Sequence, residues 1–351
     1  MLVRRANIPD SLHDAKLQPC RHMPSLILGT GMAVPSRVVT NADLAALMDT
    51  SDAWLVQRAG IRERHWAVPG ECGVDFGLAA SLAALGAAGL APADVDAIIY
   101  ATSTPDHYAP GNGAFLQRRL GVGTIPSIDI KGQCAGFVYA LATGDAWIKA
   151  GLARRVLVVG QELQSTGMDV STRGRNTAVI FADGAGAVVL GPGDGATGLL
   201  AVDLHTDGTY AEKLWVDAPG ATYHPFVSAE QIDRGATYLS MDGKEVFRHA
   251  VARMPESVRT VLGKIGATTA DIALLIPHQA NLRISEMVQK ELGLRDDQVY
   301  NNIMRYGNTT AATIPIALDE CVRAGRVKPG DLVVLTAFGS GFMWGSVAVR
   351  W

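Results

Sequence analysis

Cysteine is scarce in this chain of 351 residues. The four present, Cys20, Cys72, Cys134 and Cys321, are far apart and form no C-x-x-C pair. That spacing excludes a zinc-ribbon site and a disulfide framework, and it points to a reducing, cytoplasmic setting. An excess of charge of either sign is also missing. Lys and Arg number 31 against 34 Asp and Glu, a net charge of −3, so neither nucleic acid nor an anionic membrane is expected as a partner. No apolar run is long enough to cross a bilayer. Residues 1–23 are polar and mixed in charge, without the apolar stretch or cleavage site of a signal peptide, and are expected to be a flexible extension without function. A dinucleotide loop is absent as well. Phe181-Ala-Asp-Gly-Ala-Gly-Ala187 has the glycines but not the G-x-G-x-x-G spacing, and strand-like Val188 to Leu190 follow where a helix should begin. A tight turn between two buried strands is the expectation there.

What the chain does have is core material: 48% apolar residues against 19% charged, with length for two domains or one large duplicated one. Apolar runs read as strands at Ser25 to Val34, Ala97 to Thr102, Ser127 to Ile130, Val156 to Gly160, Leu199 to His205, Asp271 to Pro277, Leu332 to Phe338 and Gly345 to Trp351. Helical patterns lie between them: Ala42 to Met48 with Asn41 as cap, a short helix carrying Trp54 and Arg58 one turn apart, Glu71 to Ala88, Gly111 to Leu120, Ala135 to Ala150, Met241 to Leu262 with Pro255 inside, Asn281 to Leu292 and Ala311 to Ala324. Thr206 to Tyr238 reads as a long surface loop walling a site. The same alternation occurs twice, so residues 24–195 and 196–351 are expected to be two duplicated halves. The class is layered α/β with sites at strand ends.

Three polar residues stand where strands run out into loops: Cys134, His278 in Pro-His-Gln-Ala-Asn, and Asn308 in Tyr-Gly-Asn-Thr-Thr. Taken singly, each has an ordinary reading: a buried apolar cysteine, a satisfied half-buried histidine, a turn asparagine. Together, a thiol, an imidazole and a carboxamide make a nucleophile with two neutral hydrogen-bond donors. Cys134 falls between a strand end and a helix start, where unpaired N–H groups favour an anion, so its thiol is expected to lose its proton more easily than a free one.

Gln-Cys-Ala-Gly-Phe, Asp-Gly-Ala-Gly-Ala-Val-Val-Leu, His-Gln-Ala-Asn-Leu-Arg-Ile, Tyr-Gly-Asn-Thr and Phe-Gly-Ser-Gly-Phe-Met-Trp-Gly occur in that order. In this the chain resembles the β-ketoacyl-ACP synthase III family of thiolase-fold condensing enzymes over about Ser25 to Trp351. The resemblance implies a homodimer of thiolase-like five-layered αβαβα subunits, each with two duplicated halves, that starts fatty-acid synthesis in the cytoplasm. It implies that Cys134 takes the acyl group from an acyl-CoA, and that His278 and Asn308 hold the malonyl thioester of acyl carrier protein (ACP) while carbon dioxide departs. Backbone around Ser340 and Gly341 would stabilise an oxyanion, and Phe338 would keep the site dry. Trp54 and Arg175 correspond to the pair that sandwiches adenine, Arg58 to a phosphate-side arginine, and Asn281 to a residue beside the pantetheine. Arg248 and Arg283 correspond to the patch that receives ACP. CoA and ACP thioesters are the implied substrates, with no cofactor and no metal.

The chain departs from the family at Ala109. The family commonly has phenylalanine there, before the proline matching Pro110, lining the acyl pocket across the dimer. Ile130 to Cys134, Ser171 to Asn176 and Ala218 to Gly220 resemble specialised members such as alkylquinolone-forming enzymes. A secondary-metabolism role with malonyl-CoA or a non-acetyl or aromatic starter is the alternative, and a non-condensing acyltransferase of the same family is another. A thiolase fits less well, because Ser340 stands where such enzymes carry a second cysteine nearby. A non-catalytic acyl-binding protein would not need Cys, His and Asn together.

Overall fold

The apolar runs become strands, and the strands gather into two sheets. The structure, a computed structural model, describes residues 24–193 and 195–351, so the expectation for residues 1–23 lies outside it. Strands β1 (Ser25–Ala33), β2 (Ala97–Ala101), β3 (Ser127–Ile130), β4 (Val156–Leu163) and β5 (Asp183–Pro192) form the first sheet in the order β1-β5-β4-β2-β3. Strands β6 (Gly198–Thr206), β7 (Leu274–Pro277), β8 (Leu332–Gly339) and β9 (Met343–Arg350) form the second in the order β7-β8-β9-β6. β1 and β4 run antiparallel to β5, while β2 is parallel to β4 and β3. The second sheet repeats this: β6 and β8 run antiparallel to β9, and β7 is parallel to β8. The counterpart of β3 is reduced to one parallel bridge, Leu275 to Val299.

Six helices complete the layers, α2 (Gly73–Ala87), α3 (Asn112–Leu120), α4 (Gly136–Lys149), α5 (Gly243–Lys264), α6 (Leu282–Leu292) and α7 (Thr313–Arg323), while α1 (Asp52–Ala59) packs beside α6. α2 and α3 cover the outer face of the first sheet, and α5, with α6 beside it, covers that of the second. α4 and α7 lie between the sheets and touch both. Phe137 and Leu141 of α4 and Ile314 and Leu318 of α7 are therefore buried in one cluster with residues of both sheets. The result is five layers, αβαβα, with two duplicated halves. β2 is buried along its whole length, as its unbroken apolar run requires.

Several expectations shift. The expected turn in Phe181 to Ala187 does not exist, because Gly184 and Gly186 sit inside β5. A Cβ on Gly186 would stand 2.6 Å from Pro315 Cβ and 2.8 Å from Ile316 N, so these glycines serve the close approach of α7 rather than a bend. The cap of the first short helix (Asn41–Ala45) is Thr40, in a reciprocal box with Asp43. Asn41 is instead buried and accepts from the Arg64 guanidinium at 2.8 Å. β4 runs on through Gln161 and Glu162 to Leu163, both polar residues being buried within it. β7 is shorter than its apolar run, because Thr269–Asp271 forms a 3₁₀ turn first. The long loop holds a 3₁₀ turn (Gly208–Lys213), a two-residue strand and a five-residue helix (Ala229–Asp233).

Candidate active site

Cys134 owes its position to a tight connection. β3 ends at Ile130, a 3₁₀ turn spans Gln133–Ala135, and α4 begins at Gly136. Gln133 has φ of 45°, in the left-handed region, which turns the next residue sharply toward the second sheet. There Gly339, at the end of β8, packs on it: a Cβ on Gly339 would lie 3.1 Å from the thiol sulfur. The backbone N–H groups of Cys134 itself and of Ser340 favour the anion of the thiol. Burial outweighs them. The thiol is pushed up to about 12, first by desolvation and then by the nearby Glu162 carboxylate. The expectation of an easily lost proton is thus overturned, because enclosure between two sheets removes the water that would solvate a thiolate.

Glu162 carries no obvious sequence signal beyond being a carboxylate in an apolar strand. It is fully buried and accepts from Ser103 N (3.1 Å), Ser103 Oγ (2.8 Å), Thr104 Oγ1 (2.6 Å) and Gln164 Nε2 (3.3 Å). Burial still raises its carboxyl to about 7.

His278 follows the last residue of β7, and its backbone N–H donates to Thr336 O of β8 at 2.8 Å. Its Nδ1 lies 2.6 Å from Thr313 Oγ1, while Nε2 is buried without a protein partner. Desolvation lowers the imidazole to about 3, so it is neutral near pH 7. Asn308 is fixed by its backbone: its N–H donates to Ile180 O (2.9 Å), and its carbonyl accepts from Ala182 N–H (3.0 Å). Its Oδ1 accepts from Thr310 N–H at 2.8 Å, which assigns the oxygen inward and leaves Nδ2 as a donor for the cavity. Arg64, a residue the sequence did not single out, supports this segment. Its buried guanidinium donates to Val39 O (3.3 Å), Asn41 Oδ1 (2.8 Å) and Val179 O (3.0 Å).

Cys134, His278, Asn308 and Phe338 line one cavity of about 650 Å³. Phe338 is buried against Phe342, with ring centroids 4.9 Å apart. Toward the mouth the lining becomes cationic with Arg58, Lys244 and Arg283, and Asn281 stands beside them. Asn281 caps α6 by accepting from Arg283 N–H at 3.0 Å, and it donates to Arg58 O at 3.0 Å. Trp54 lies under two guanidiniums, Arg58 at 5.1 Å and Arg175 at 5.7 Å, and Arg175 also donates to Asp49 Oδ2 at 2.8 Å. Ser340 donates its hydroxyl to Leu214 O, away from the sulfur, so only its N–H serves Cys134. Gly341 has φ of 132° and leads into β9.

Arg248 lies outside the cavity, paired with Glu245 at 2.5 Å. Ala109 and Pro110 are also outside it in the single chain, on an exposed segment next to Tyr108, joined by a cis peptide. Among the described residues no group of His, Cys, Asp and Glu is arranged to hold a metal, and no helix is long and apolar enough to cross a membrane.

A buried thiol, a neutral imidazole and a carboxamide donor at the end of a cation-lipped cavity are suited to acyl-thioester chemistry, and the chain as a whole is similar to known proteins. Residues 128–208 match the profile described as 3-oxoacyl-[acyl-carrier-protein (ACP)] synthase III, and residues 262–351 match the one for its C-terminal part. The β-ketoacyl-[acyl-carrier-protein] synthase III of Chelativorans sp. (strain BNC1) is 44% identical over 332 residues, covering 93% of this chain and 99% of that protein. The crystal structure of the synthase III from Pseudomonas aeruginosa PAO1 superposes with a TM-score of 0.85 at 43% identity, covering 93% of this chain and 98% of that one. That from Aquifex aeolicus VF5 superposes with a TM-score of 0.86 at 39% identity, covering 93% of this chain and 100% of that one. With this identity sustained over nearly the whole described fold, the chain belongs to the 3-oxoacyl-[acyl-carrier-protein] synthase III family.

Proposed function

We propose that this chain joins an acyl-CoA starter to malonyl-ACP by decarboxylative Claisen condensation, the step that initiates fatty-acid synthesis. The observation that carries this reading is the convergence of Cys134, His278 and Asn308 on one cavity with a cationic mouth. In the first half-reaction the Cys134 sulfur attacks the acyl-CoA carbonyl. The C–S bond to CoA breaks, and the thiol proton ends on the departing CoA sulfur. The N–H groups of Cys134 and Ser340 favour negative charge at the sulfur and are suited to the oxyanion formed beside it. In the second half-reaction the malonyl thioester loses carbon dioxide, and the electron pair of the broken C–C bond becomes an enolate. Negative charge grows on the thioester oxygen, where a neutral His278 N–H and Asn308 Nδ2–H donate. The enolate carbon then attacks the acyl-Cys carbonyl and releases the Cys134 sulfur as a thiolate, which takes a proton from water to restore the thiol. Phe338 keeps water from the carboxylate, which favours its departure.

Trp54, Arg58, Arg175 and Asn281 are the proposed CoA contacts, and Arg248 and Arg283 the docking residues for the acidic carrier. The chemistry written above uses thioesters alone, without a cofactor. The protein acts as a cytoplasmic homodimer in this reading, its halves meeting near residue 195. Tyr108 is 82% exposed and packs edge-on against Phe226. A second subunit over that aromatic pair would bring Ala109 and Pro110 to its neighbour's acyl pocket, where alanine leaves more room than phenylalanine.

The test is intact-mass measurement of Cys134 after incubation with a panel of acyl-CoAs, followed by product analysis with malonyl-ACP and malonyl-CoA. An acyl adduct lost in Cys134→Ala, with carbon dioxide released from carboxyl-labelled malonyl-ACP, is expected. An adduct without carbon dioxide release would identify a non-condensing acyltransferase instead. Preference for malonyl-CoA with an aromatic starter would identify a specialised biosynthetic role.

A further inference from the structure

The neutral imidazole of His278 carries one ring proton, and only its placement on Nε2 makes the ring a donor toward the cavity. We propose that Thr313, a residue outside the cavity lining, is the positioning residue that holds the proton there, its hydroxyl donating to Nδ1. The proposal deepens the reading of His278 as the donor to the thioester oxygen and rests on it.

The hydroxyl proton has two acceptors in reach, the Thr310 carbonyl and the imidazole, and the imidazole is the nearer. Thr313 Oγ1 lies 2.6 Å from His278 Nδ1 and 3.1 Å from Thr310 O. The Thr310 carbonyl already accepts the backbone N–H of Thr313 at the start of α7, so it stays satisfied without the hydroxyl. Nδ1 has no other hydrogen-bond partner among the described residues. A hydroxyl has a single proton to give. Given to Nδ1 over the shorter contact, it fixes the lone pair on that nitrogen and the N–H on Nε2. Thr313 is 2% exposed and His278 3%, so bulk water does not compete for either group. The opposite arrangement, with Nδ1–H donating to Thr313, would turn a bare lone pair toward the substrate oxygen and repel the charge that grows there. Nε2 is left without a protein partner, as a donor reserved for a ligand would be.

The experiment uses the full chain with ¹⁵N-labelled histidine, the His278 signals being assigned by their loss in His278→Asn. The expected wild-type spectrum has the proton on Nε2 of His278. Thr313→Val keeps the shape and removes the hydroxyl. Nε2–H should cease to be the single tautomer, and kcat for malonyl-thioester decarboxylation should fall about 10-fold, the order of one lost hydrogen bond. KM and the rate of Cys134 acylation should hold. Thr313→Ser should restore both spectrum and rate. A wild-type proton on Nδ1, or a Thr313→Val protein with unchanged tautomer and unchanged decarboxylation, overturns the proposal. If Thr313→Val does not fold, the wild-type spectrum and Thr313→Ser still decide. An Nε2 proton in a protein that releases no carbon dioxide would leave the tautomer assignment standing while the condensation reading fails.

Discussion

Gly339 is the residue at which packing and chemistry can be separated most sharply. A Cβ added there would stand 2.6 Å from Cys134 Cβ, 3.0 Å from its backbone N and 3.1 Å from its sulfur. Carbon atoms settle at about 3.5–4.0 Å, so Gly339→Ala asks for roughly 1 Å of extra separation between β8 and the cysteine turn. Neither side yields easily. β8 is buried and hydrogen-bonded to a strand on each flank, and the turn is locked between the sheets. Overpacking of this kind costs about 1–3 kcal/mol. A displacement of about 1 Å at the nucleophile costs on the order of 10²-fold in rate. The variant should therefore fold with a lowered melting temperature and acylate Cys134 about 10²-fold more slowly, read by intact mass under single-turnover conditions. Gly263→Ala makes the same chemical change on the exposed face of α5, where a Cβ meets nothing within 4 Å. It should acylate normally and gain about 0.5–1 kcal/mol from helix propensity. Wild-type acylation and melting in Gly339→Ala would refute the packing argument.

The depressed His278 predicts an acid limb in stability. Between about pH 6.5 and 3 the unfolded ring takes a proton that the folded one refuses, so stability is lost on acidification. His278→Asn should flatten that limb in denaturant titrations at a series of pH values; an unchanged limb would mean the ring titrates normally. Cys134, raised to about 12, should react with iodoacetamide at a rate that climbs roughly tenfold per pH unit from about pH 7 to 9, and a plateau near neutrality would contradict the burial argument. If Trp54 stacks on adenine as proposed, Trp54→Ala removes an aromatic–base stack of about 1–3 kcal/mol. It should raise KM for the acyl-CoA by about tenfold or more at unchanged kcat, whereas an unchanged KM would remove Trp54 from the adenine site.

The strands and helices were legible because most carry a clean period and punctuation: β2 as an unbroken apolar run, α1 as a short helix with Trp54 and Arg58 one turn apart. Where legibility failed, long-range packing had overridden a local signal. Gly184 and Gly186 look like a turn, and only the approach of α7 makes them strand residues. Asn41 looks like a cap, and only the buried Arg64 claims it for another bond. Cys134, His278 and Asn308 were recognisable through their motifs, and the structure brings them into one cavity. The protonation state of the thiol was not legible, because the N–H groups that favour its anion are local while the burial that overcomes them comes from the second sheet. Glu162 and Thr313 carry no motif; their importance is visible only in their contacts.

The pseudo-repeat explains why one site draws on such distant residues. The turn Gln133–Ala135 enters α4, and the turn Thr310–Ala312 enters α7, the two helices enclosed between the sheets. Gln133 (φ 45°) and Thr310 (φ 49°) are the two non-glycine residues with positive φ among the described residues, and each opens one of these turns. Such a backbone costs on the order of 1–3 kcal/mol and persists where its surroundings over-determine it. Here each turn restrains the other: a Cβ on Gly136 would sit 3.5 Å from Ala311 Cβ. By this register Cys134 and Ala311 occupy equivalent places. The first half has put there the thiol proposed as the nucleophile. The second keeps a methyl group small enough for the turns to meet, and sets Asn308 before the turn and Thr313 after it. In the proposed mechanism covalent chemistry thus falls to one half and hydrogen-bond donation to the other, and the strained turns hold the two in register. Substitutions that relax either turn should therefore disturb both half-reactions, although only one turn bears the sulfur.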